Sequence, residues 1–379
     1  MSTNRIPFNK PCLAGNELEY MAQAVQNLHI SGDGAFTRKC HTWLEEELGI
    51  RKALLTTSCT HALEMSAFLL DIQPGDEVIV PSFTFVSTVN AFVIRGARPV
   101  FVDIHPDTLD LDETKLEDLI TSRTRAILVV HYAGLGCEMD TILEIAQKHH
   151  LVVVEDNAHG LFGKFKGRFL GTFGALATQS FHETKNVSCG EGGALLINDL
   201  LYSERAEILR EKGTNRSRFF RGQVDKYTWV DMGSSYLPSD ILAAYLYAQF
   251  EKAAEIQGKR KRIWEAYFTG LRDWAELYSI GLPYVPDTCT QPYHMFYILL
   301  PSVECRQALI EHLKLAGIQA VFHYLPLHTS EMGVRFGGKP GDCPVTEQIS
   351  DRLLRLPFFN DLSDAELDRV LEGVKGFRF

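Results

Sequence analysis

The 379-residue sequence lacks several features that would point to particular classes of protein. Its eight cysteines are scattered and form no CxxC pair, which favours free thiols in a reducing compartment over a disulfide framework. No apolar run approaches the ~20 residues that span a bilayer, and the N-terminal MSTNRIPFNK has no apolar signal core. The net charge of −10 argues against the broad basic surfaces that bind nucleic acid or membranes. We therefore expect a cytoplasmic protein without nucleic-acid or membrane partners, and we predict no metal site.

The length predicts more than one hydrophobic core. A chain of 379 residues exceeds the ~250–300 residues at which a single core usually stops growing. Its 45% hydrophobic and 23% charged residues are typical of a globular protein. We predict an N-terminal arm over residues 1–36, a large domain over 37–250, and a connecting helix with a small C-terminal αβ domain over 251–379.

Short β-branched runs alternate with helical segments between residue 38 and about residue 200. Such alternation is typical of α/β folds in which helices cover both faces of a mainly parallel sheet. Ligands in these folds bind beyond the carboxyl ends of the strands. The residues that follow each strand are therefore the candidates for a binding site. The seven predicted strands are 53–58, 77–82, 98–104, 125–132, 151–157, 177–183 and 193–198.

Lys185 lies between the last two predicted strands. Hydroxyl side chains precede it at positions 178, 180 and 184, and glycines follow it at positions 190, 192 and 193. Hydroxyl groups can bind an anion such as a phosphate, and glycines permit turns and close backbone approach. A lysine on a solvated loop would be the ordinary interpretation, but this segment also suits a buried amine beside a ligand.

Asp156 ends the predicted strand LVVVED and supplies a second chemical group. A carboxylate that follows three valines is poorly solvated unless it has a cationic partner, although a helix cap or a surface charge is the common alternative. The protonated nitrogen of a pyridine ring is such a partner. Pyridoxal 5'-phosphate (PLP) requires a lysine that forms a Schiff base, an aspartate at the ring nitrogen, and a phosphate site. Lys185 and Asp156 would supply the first two.

A phosphate site is predicted where the strand at 53–58 breaks into a helix. Ser58, Cys59 and Thr60 stand at that helix start, where free backbone N–H groups and the helix dipole attract anions. An ordinary Ser/Thr N-cap would have the same local sequence. Phe85 follows the strand at 77–82, where its ring could stack on a cofactor or simply pack in the core.

These motifs together resemble a known family. The order strand-SCT-helix, PSFTFVST, VVVEDNAH and SFHETKN-x-x-x-GEGG is similar to that of the DegT/DnrJ/EryC1 nucleotide-sugar aminotransferases, and the likeness extends over nearly the full length. It implies the PLP-dependent transferase type I, or aspartate-aminotransferase-like, fold and the cofactor PLP. By position it implies Lys185 as the Schiff-base lysine and Asp156 at the ring nitrogen. It further places His159, where many members have Gln, near the ring hydroxyl, Phe85 against the ring, and Cys59, Thr60 and Ser180 at the phosphate.

Within the family, the likeness is closest to enzymes that aminate C4 of dTDP-4-keto-6-deoxyglucose, with L-glutamate as donor, on the route to enterobacterial common antigen. It is carried by GDGAFTRKC (32–40), by SFHETKN and above all by REKGTNRSRFFRGQVDKYTW (210–229). The resemblance also implies a homodimer with shared active sites, in which Ser235 and Tyr236 reach the partner's phosphate site.

Two further segments are candidates for substrate binding. The loop after residue 210 is basic in an acidic protein, and guanidinium groups suit a pyrophosphate, although a solvated charged loop is an equal alternative. By resemblance, the segment FHYLPLH lines the sugar pocket. The candidate substrate-binding residues are Asn215, Arg216, Arg218, Arg221, His323, Tyr324 and His328.

Other functions remain open on the sequence alone. Gly134 and Gly136 follow a strand as in a nicotinamide dehydrogenase, but Met139 stands where that fingerprint needs a third glycine. A sugar-sensing protein with the same fold would be expected to lose Lys185 or Asp156, and both are present. A 3-amino product or a gluco-configured 4-amino product would use the same catalytic residues.

Overall fold

The computed structural model describes residues 5–378. The strands are β1 Lys52–Thr56, β2 Glu77–Pro81, β3 Arg98–Val102, β4 Thr124–Val130, β5 Val152–Asp156, β6 Lys164–Phe165, β7 Arg168–Phe169, β8 Leu176–Ser180, β9 Gly193–Ile197, β10 Cys289–Thr290, β11 Tyr297–Leu299, β12 Val321–Phe322 and β13 Leu353–Arg355. The helices are α1 Glu17–Gln26, α2 Ala35–Leu48, α3 Cys59–Leu69, α4 Val86–Val93, α5 Leu116–Leu119, α6 Met139–Lys148, α7 Ser203–Arg210, α8 Arg216–Phe220, α9 Asp240–Glu251, α10 Ala253–Tyr278, α11 Val303–Leu315, α12 Glu331–Arg335, α13 Pro344–Arg352 and α14 Asp364–Lys375. Within residues 5–378, no helix is both long enough and apolar enough to cross a membrane.

A seven-stranded sheet confirms the predicted fold class. Its strand order is β1-β9-β8-β5-β4-β2-β3. Strand β9 runs antiparallel to both of its neighbours, and the remaining adjacent strands pair in parallel. The central strands are valine-rich and almost wholly buried, as expected of strands that helices cover on both faces.

Two smaller sheets lie outside this sheet. Strands β10, β6 and β7 form one of them, and β11, β13 and β12 form the other. The second sheet packs with α10, α11 and α14 around a separate core that includes Trp264, Phe296 and Leu354. This separate core is compatible with the predicted small C-terminal domain, while the boundary at residue 250 stays a prediction.

The N-terminal segment contacts both parts of the chain. Ile6 is buried in the core of the C-terminal part, and its backbone N–H donates to the carbonyl of Gly317 at 2.9 Å. Helix α1 packs on α9, where Gln249 donates to the buried carboxylate of Glu17 at 2.6 Å. The predicted connecting helix corresponds to α10, which is separated from α9 at Lys252.

Candidate active site

A cavity of about 600 Å³ lies at the carboxyl ends of the central strands. Residues that end or follow β1, β2, β4, β5 and β8 line one side, and residues of the C-terminal part line the other. The cavity therefore lies at the edge of the sheet where an α/β fold is expected to bind its ligand. Ten of the residues predicted for the site line this cavity: Ser58, Cys59, Thr60, Phe85, Asp156, His159, Ser180, Lys185, His323 and Tyr324.

The start of helix α3 lies in the wall of the cavity. Ser58 is its N-cap, and the Ser58 Oγ accepts a hydrogen bond from the His61 N–H at 3.1 Å. The N–H groups of Cys59 and Thr60 make no hydrogen bond to any residue between 5 and 378. Free N–H groups at the positive end of a helix dipole are suited to a phosphate.

Two glycines after Lys185 allow the chain to pass close to this helix start. Gly190 has a φ of +87°, which a residue with a side chain rarely adopts. A Cβ atom at Gly193 would lie 2.4 Å from the backbone nitrogen of Cys59. Glycine at position 193 thus lets β9 approach the N-terminus of α3 without displacing it.

Lys185 places its amine in the cavity. The residue is half-buried, and the loss of bulk water around its side chain lowers the pKa from 10.5 to about 8. The Asp156 carboxylate opposes this effect by raising the pKa of the lysine, and the Arg355 guanidinium reinforces it. A measurable fraction of the amine is therefore neutral near pH 7.

Asp156 is buried at the end of β5 and lines the same cavity as Lys185. Burial raises the pKa of its carboxyl group, although hydrogen bonds from Thr88 Oγ1 at 2.7 Å and from the Ala158 N–H at 3.1 Å favour the carboxylate. Thr88 is itself buried on α4, where its hydroxyl contacts Thr84 Oγ1 at 2.9 Å. These contacts hold one carboxylate oxygen towards α4 in a nearly dry environment.

Two histidines stack beside the lysine. The rings of His159 and His294 lie 4.3 Å apart, and burial lowers the pKa of both imidazoles well below the usual value. Asn186 Oδ1 lies 2.8 Å from His294 Nδ1 and fixes its tautomer, while His159 Nδ1 is buried without a hydrogen-bond partner among residues 5–378. Neutral imidazoles can donate or accept a hydrogen bond without adding charge to the site.

The C-terminal part closes the cavity with His323 and Tyr324. Tyr132 Oη lies 2.9 Å from His323 Nδ1, which ties this segment to the end of β4. Burial raises the pKa of the Tyr324 hydroxyl, so the phenol stays protonated at neutral pH. Both side chains therefore offer neutral polar groups to a ligand.

The structure also brings three residues to the site that the sequence analysis missed. Thr88 contacts Asp156, and His294 and Arg355 line the cavity. Thr88 lies in the PSFTFVST motif, one helical turn after Thr84. The spacing of the two threonines could therefore have indicated that their side chains lie on the same face. Nothing in the local sequence marks His294 or Arg355, because both reach the cavity only through packing of the C-terminal part.

The basic loop does not line the cavity of its own chain. Arg216 and Arg221 are exposed, and Arg218 is half-buried. Arg216, Arg218 and Arg221 form ion pairs with Glu211, Glu204 and Glu207 at 3.9, 3.1 and 2.8 Å. The Asn215 side chain accepts a hydrogen bond from the Thr228 N–H at 2.8 Å, which closes the loop. Within one chain these residues thus act as a solvated charged loop.

Three other predicted residues also lie outside the cavity. His328 is fully buried and bridges Ser82 Oγ at 2.6 Å and Glu347 Oε1 at 2.9 Å, which ties α13 to the end of β2. Ser235 is exposed, and Tyr236 packs its ring on His61 behind the N-terminus of α3. The contacts of His328 and Tyr236 within the chain account for their burial without a ligand.

The residues of the cavity fit PLP. The free N–H groups at the start of α3 suit its phosphate, the buried Asp156 carboxylate suits a protonated ring nitrogen, and the Lys185 amine suits its aldehyde. His159 Nδ1 offers a buried polar atom that lacks a hydrogen-bond partner in the described part of the chain.

Comparison with known proteins agrees with this geometry. Residues 11–375 match the DegT/DnrJ/EryC1/StrS aminotransferase family. The chain is 32% identical to GDP-perosamine synthase of Escherichia coli O157:H7 over 379 residues, covering 98% of both proteins. The aminotransferase TlmJ of Streptoalloteichus hindustanus is 28% identical, with a TM-score of 0.90 over 98% of each chain. Spr1654 of Streptococcus pneumoniae in its PLP form is 26% identical, with a TM-score of 0.90 over 98% of each chain.

The family match decides which class of protein the chain belongs to. A nicotinamide dehydrogenase is excluded, in keeping with Met139 at the start of α6 where its fingerprint needs glycine. The family, its curated relative and the PLP form of a structural neighbour together establish the class of enzyme and its cofactor. This chain belongs to the DegT/DnrJ/EryC1/StrS aminotransferase family and is a PLP-dependent sugar aminotransferase.

Proposed function

We propose that the chain transfers the amino group of L-glutamate to C4 of dTDP-4-keto-6-deoxy-D-glucose. The products would be dTDP-4-amino-4,6-dideoxy-D-galactose and 2-oxoglutarate, for enterobacterial common antigen or a related surface polysaccharide. The proposal of transamination rests on one observation. The Lys185 amine and the Asp156 carboxylate line the same cavity, beside the N-terminus of α3. The choice of nucleotide sugar rests on the sequence likeness, above all on residues 210–229.

Lys185 would attach the cofactor and move protons during the reaction. PLP, when bound, acts as an electron sink for the carbon atom that loses a proton. With a pKa of about 8, Lys185 Nζ is partly neutral near pH 7, so it can accept a proton from Cα of the donor and deliver one to C4 of the sugar. An exposed lysine with its usual pKa would be almost entirely protonated and unable to accept that proton.

The other residues would hold and orient the cofactor. Asp156, which accepts from Thr88, would face the ring nitrogen and keep it protonated. Ser58, Cys59 and Thr60 would bind the phosphate together with Ser180, which also lines the cavity. Phe85 and His159 are on the same cavity surface, where an aromatic ring can stack and a neutral imidazole can bind the ring hydroxyl.

A homodimer with shared active sites is part of this proposal. The end of α8 and the loop after it expose Phe220, Trp229 and Val230, with 69%, 78% and 50% of their surfaces accessible in one chain. Large exposed apolar side chains of this kind are typical of a protein interface. A second copy that covers them would bring Ser235, Tyr236 and the basic loop near the partner's cavity. We also propose a cytoplasmic location, which the eight free cysteines support.

The decisive experiment is product analysis. The purified holoenzyme is incubated with L-glutamate and dTDP-4-keto-6-deoxy-D-glucose, and the amino sugar is identified by NMR. The proposal expects an axial amine at C4, as in the galacto configuration. A gluco-configured amine, or turnover only with a 3-keto sugar or a GDP-linked sugar, would reject the proposed substrate while leaving the transaminase assignment intact.

A further inference from the structure

Hydrogen bonds from two other parts of the chain fix the segment that carries His294. This histidine lies just before β11 and lines the cavity. The carbonyl of Pro292 accepts hydrogen bonds from Asn186 Nδ2 at 2.7 Å and from Gln257 Nε2 at 3.1 Å. Asn186 follows Lys185 in the chain, and Gln257 belongs to α10. The segment is therefore tied both to the loop of Lys185 and to the longest helix of the protein.

The residue before His294 has an unfavourable backbone conformation. Tyr293 has a φ of +53°, a value that a residue with a bulky side chain rarely adopts. Arg260 holds this conformation, because its guanidinium donates to the carbonyl of Tyr293 at 2.9 Å and also to the carbonyl of His294. Strain of this kind persists only where the surrounding contacts impose it, and it is common at functional sites. The fold therefore places the His294 ring at the expense of local backbone stability.

The hydrogen bonds of Asn186 decide which nitrogen of His294 carries the proton. Asn186 Nδ2 donates to the carbonyl of Pro292 and to Gln257 Oε1, the latter at 3.1 Å. A carbonyl oxygen can only accept, so the amide has one orientation, in which Asn186 Oδ1 accepts from His294 Nδ1 at 2.8 Å. Burial and the nearby cationic groups, among them Lys185, lower the pKa of His294, so the ring is neutral. Its proton is therefore on Nδ1, and its Nε2 has a lone pair.

The oriented ring of His294 stacks on the ring of His159. Their centroids are 4.3 Å apart and their planes differ by 19°. Within residues 5–378 the His159 side chain makes no hydrogen bond, and its Nδ1 atom is buried without a partner. Ring contacts are therefore what restrains it, and the other two, with Tyr132 and His323, are longer at 5.9 and 6.1 Å. The orientation of His159 thus depends mainly on His294.

We propose that His294 is a positioning residue that acts through His159. The hydrogen bonds that run from Gln257 through Asn186 fix the plane of the His294 ring, and stacking passes this orientation to His159. His159 would then meet the ring hydroxyl of PLP in a single orientation, although it has no hydrogen bond of its own to the described chain. The inference rests on the proposed function only in the role of His159 at the cofactor, and it assigns no step of amino transfer to His294.

The first test observes the two imidazoles in the cofactor-free enzyme. Proton–nitrogen NMR of protein with isotope-labelled histidine distinguishes the two neutral tautomers, and His294→Phe and His159→Gln assign the signals. We expect His294 to be protonated on Nδ1 in the wild type, and Asn186→Ala to abolish this preference. His159 should give one sharp set of signals in the wild type and in H294F, which keeps an aromatic ring, but broadened or multiple signals in His294→Ala. A His294 protonated on Nε2, or His159 signals that H294A leaves unchanged, would overturn the proposal.

The second test measures PLP affinity by equilibrium titration in a double-mutant cycle. H294A should weaken PLP binding by about two- to tenfold, the range expected for loss of one stacked aromatic pair, and H294F should recover most of that loss. In the H159Q background H294A should cause no further loss, because the two residues act as a unit. Equal losses from H294A in both backgrounds would show that His294 acts independently of His159, and the proposal would be wrong.

A control variant separates positioning from a general loss of structure. His312 lies on α11, outside the cavity, with its Nε2 3.0 Å from the carbonyl of Gly373. His312→Ala should leave PLP affinity unchanged even where it lowers the melting temperature. A PLP affinity that simply follows the melting temperature in every variant, H312A included, would also reject the inference.

Neither test contains an amino donor or a sugar, so the result does not depend on the proposed substrate. If the enzyme rejects dTDP-4-keto-6-deoxy-D-glucose while H294A and H159Q remain coupled, the substrate proposal fails and the inference stands. If the expected amino sugar forms but the two variants act independently, the inference fails and the proposed function stands.

Discussion

The lowered pKa of Lys185 predicts how fast the cofactor-free enzyme captures PLP at each pH. Only the neutral amine attacks the aldehyde, so the rate should rise with pH and level off above the pKa of the lysine. A change in pKa from 10.5 to about 8 corresponds to about 3 kcal/mol. At pH 7 it raises the neutral fraction from about 0.03% to about 9%, which is roughly a 300-fold gain in reactive amine.

The assay is stopped-flow absorbance of PLP mixed with cofactor-free enzyme between pH 6 and pH 10. Only pH values at which the enzyme stays folded are used. We expect an apparent midpoint near pH 8 for the wild type. Lys185→Ala should show no covalent capture and no turnover, which provides the background, and free PLP recorded at each pH corrects for the titration of the cofactor itself.

Two variants test the physical cause of the lowered pKa. Because the Asp156 carboxylate raises the pKa of Lys185, Asp156→Asn should move the midpoint to lower pH. Because the Arg355 guanidinium lowers it, Arg355→Met should move the midpoint to higher pH. A midpoint at about 10 or above in the wild type, as for an ordinary lysine, would refute the claim that the cavity desolvates this amine. A midpoint that is identical in all three proteins would refute the claim that these two charges act on it.

The remaining predictions concern the phosphate site. Ser58→Ala removes the N-cap of α3 and should destabilise the protein by about 1 kcal/mol while weakening PLP binding. Ser302→Ala removes the corresponding cap of α11, outside the cavity, and should cost similar stability in thermal unfolding without changing PLP affinity. Gly193→Ala places a Cβ 2.4 Å from the Cys59 nitrogen and should weaken PLP binding, as measured by equilibrium titration. Gly258 lies within α10 and has open space around its Cβ position. Gly258→Ala should therefore stabilise the fold by roughly 0.5–1 kcal/mol and leave PLP binding unchanged. Equal effects of the two glycine variants on PLP binding would contradict the claim that Gly193 is needed for close approach to α3.

Much of the fold could be predicted because the residue pattern that marks each strand and helix is local in the sequence. Each of the seven predicted strands overlaps a strand of the large sheet, since short β-branched runs between helical segments specify buried parallel strands. The antiparallel direction of β9 was harder to predict from the sequence, because the direction of a strand depends on how the chain turns after Lys185. Those turns involve Gly190, whose positive φ is visible only in three dimensions.

The sequence by itself determined which strand ends carry the chemistry. Lys185, Asp156 and the Ser58–Thr60 segment lie at the carboxyl ends of strands of one sheet. Because such strand ends lie at the same edge of a sheet, these groups were expected to meet. In the structure they all line one cavity. Only the tertiary structure decided that Arg355 and His294 join them, and that His328 and the arginines of α8 lie outside the cavity within one chain. The physical reason is that their positions depend on packing between segments far apart in the chain: β13 meets β11 and β12, and His328 turns towards Ser82. Local periodicity predicts which side chains are buried, whereas the partners that bury them are chosen by the assembled fold.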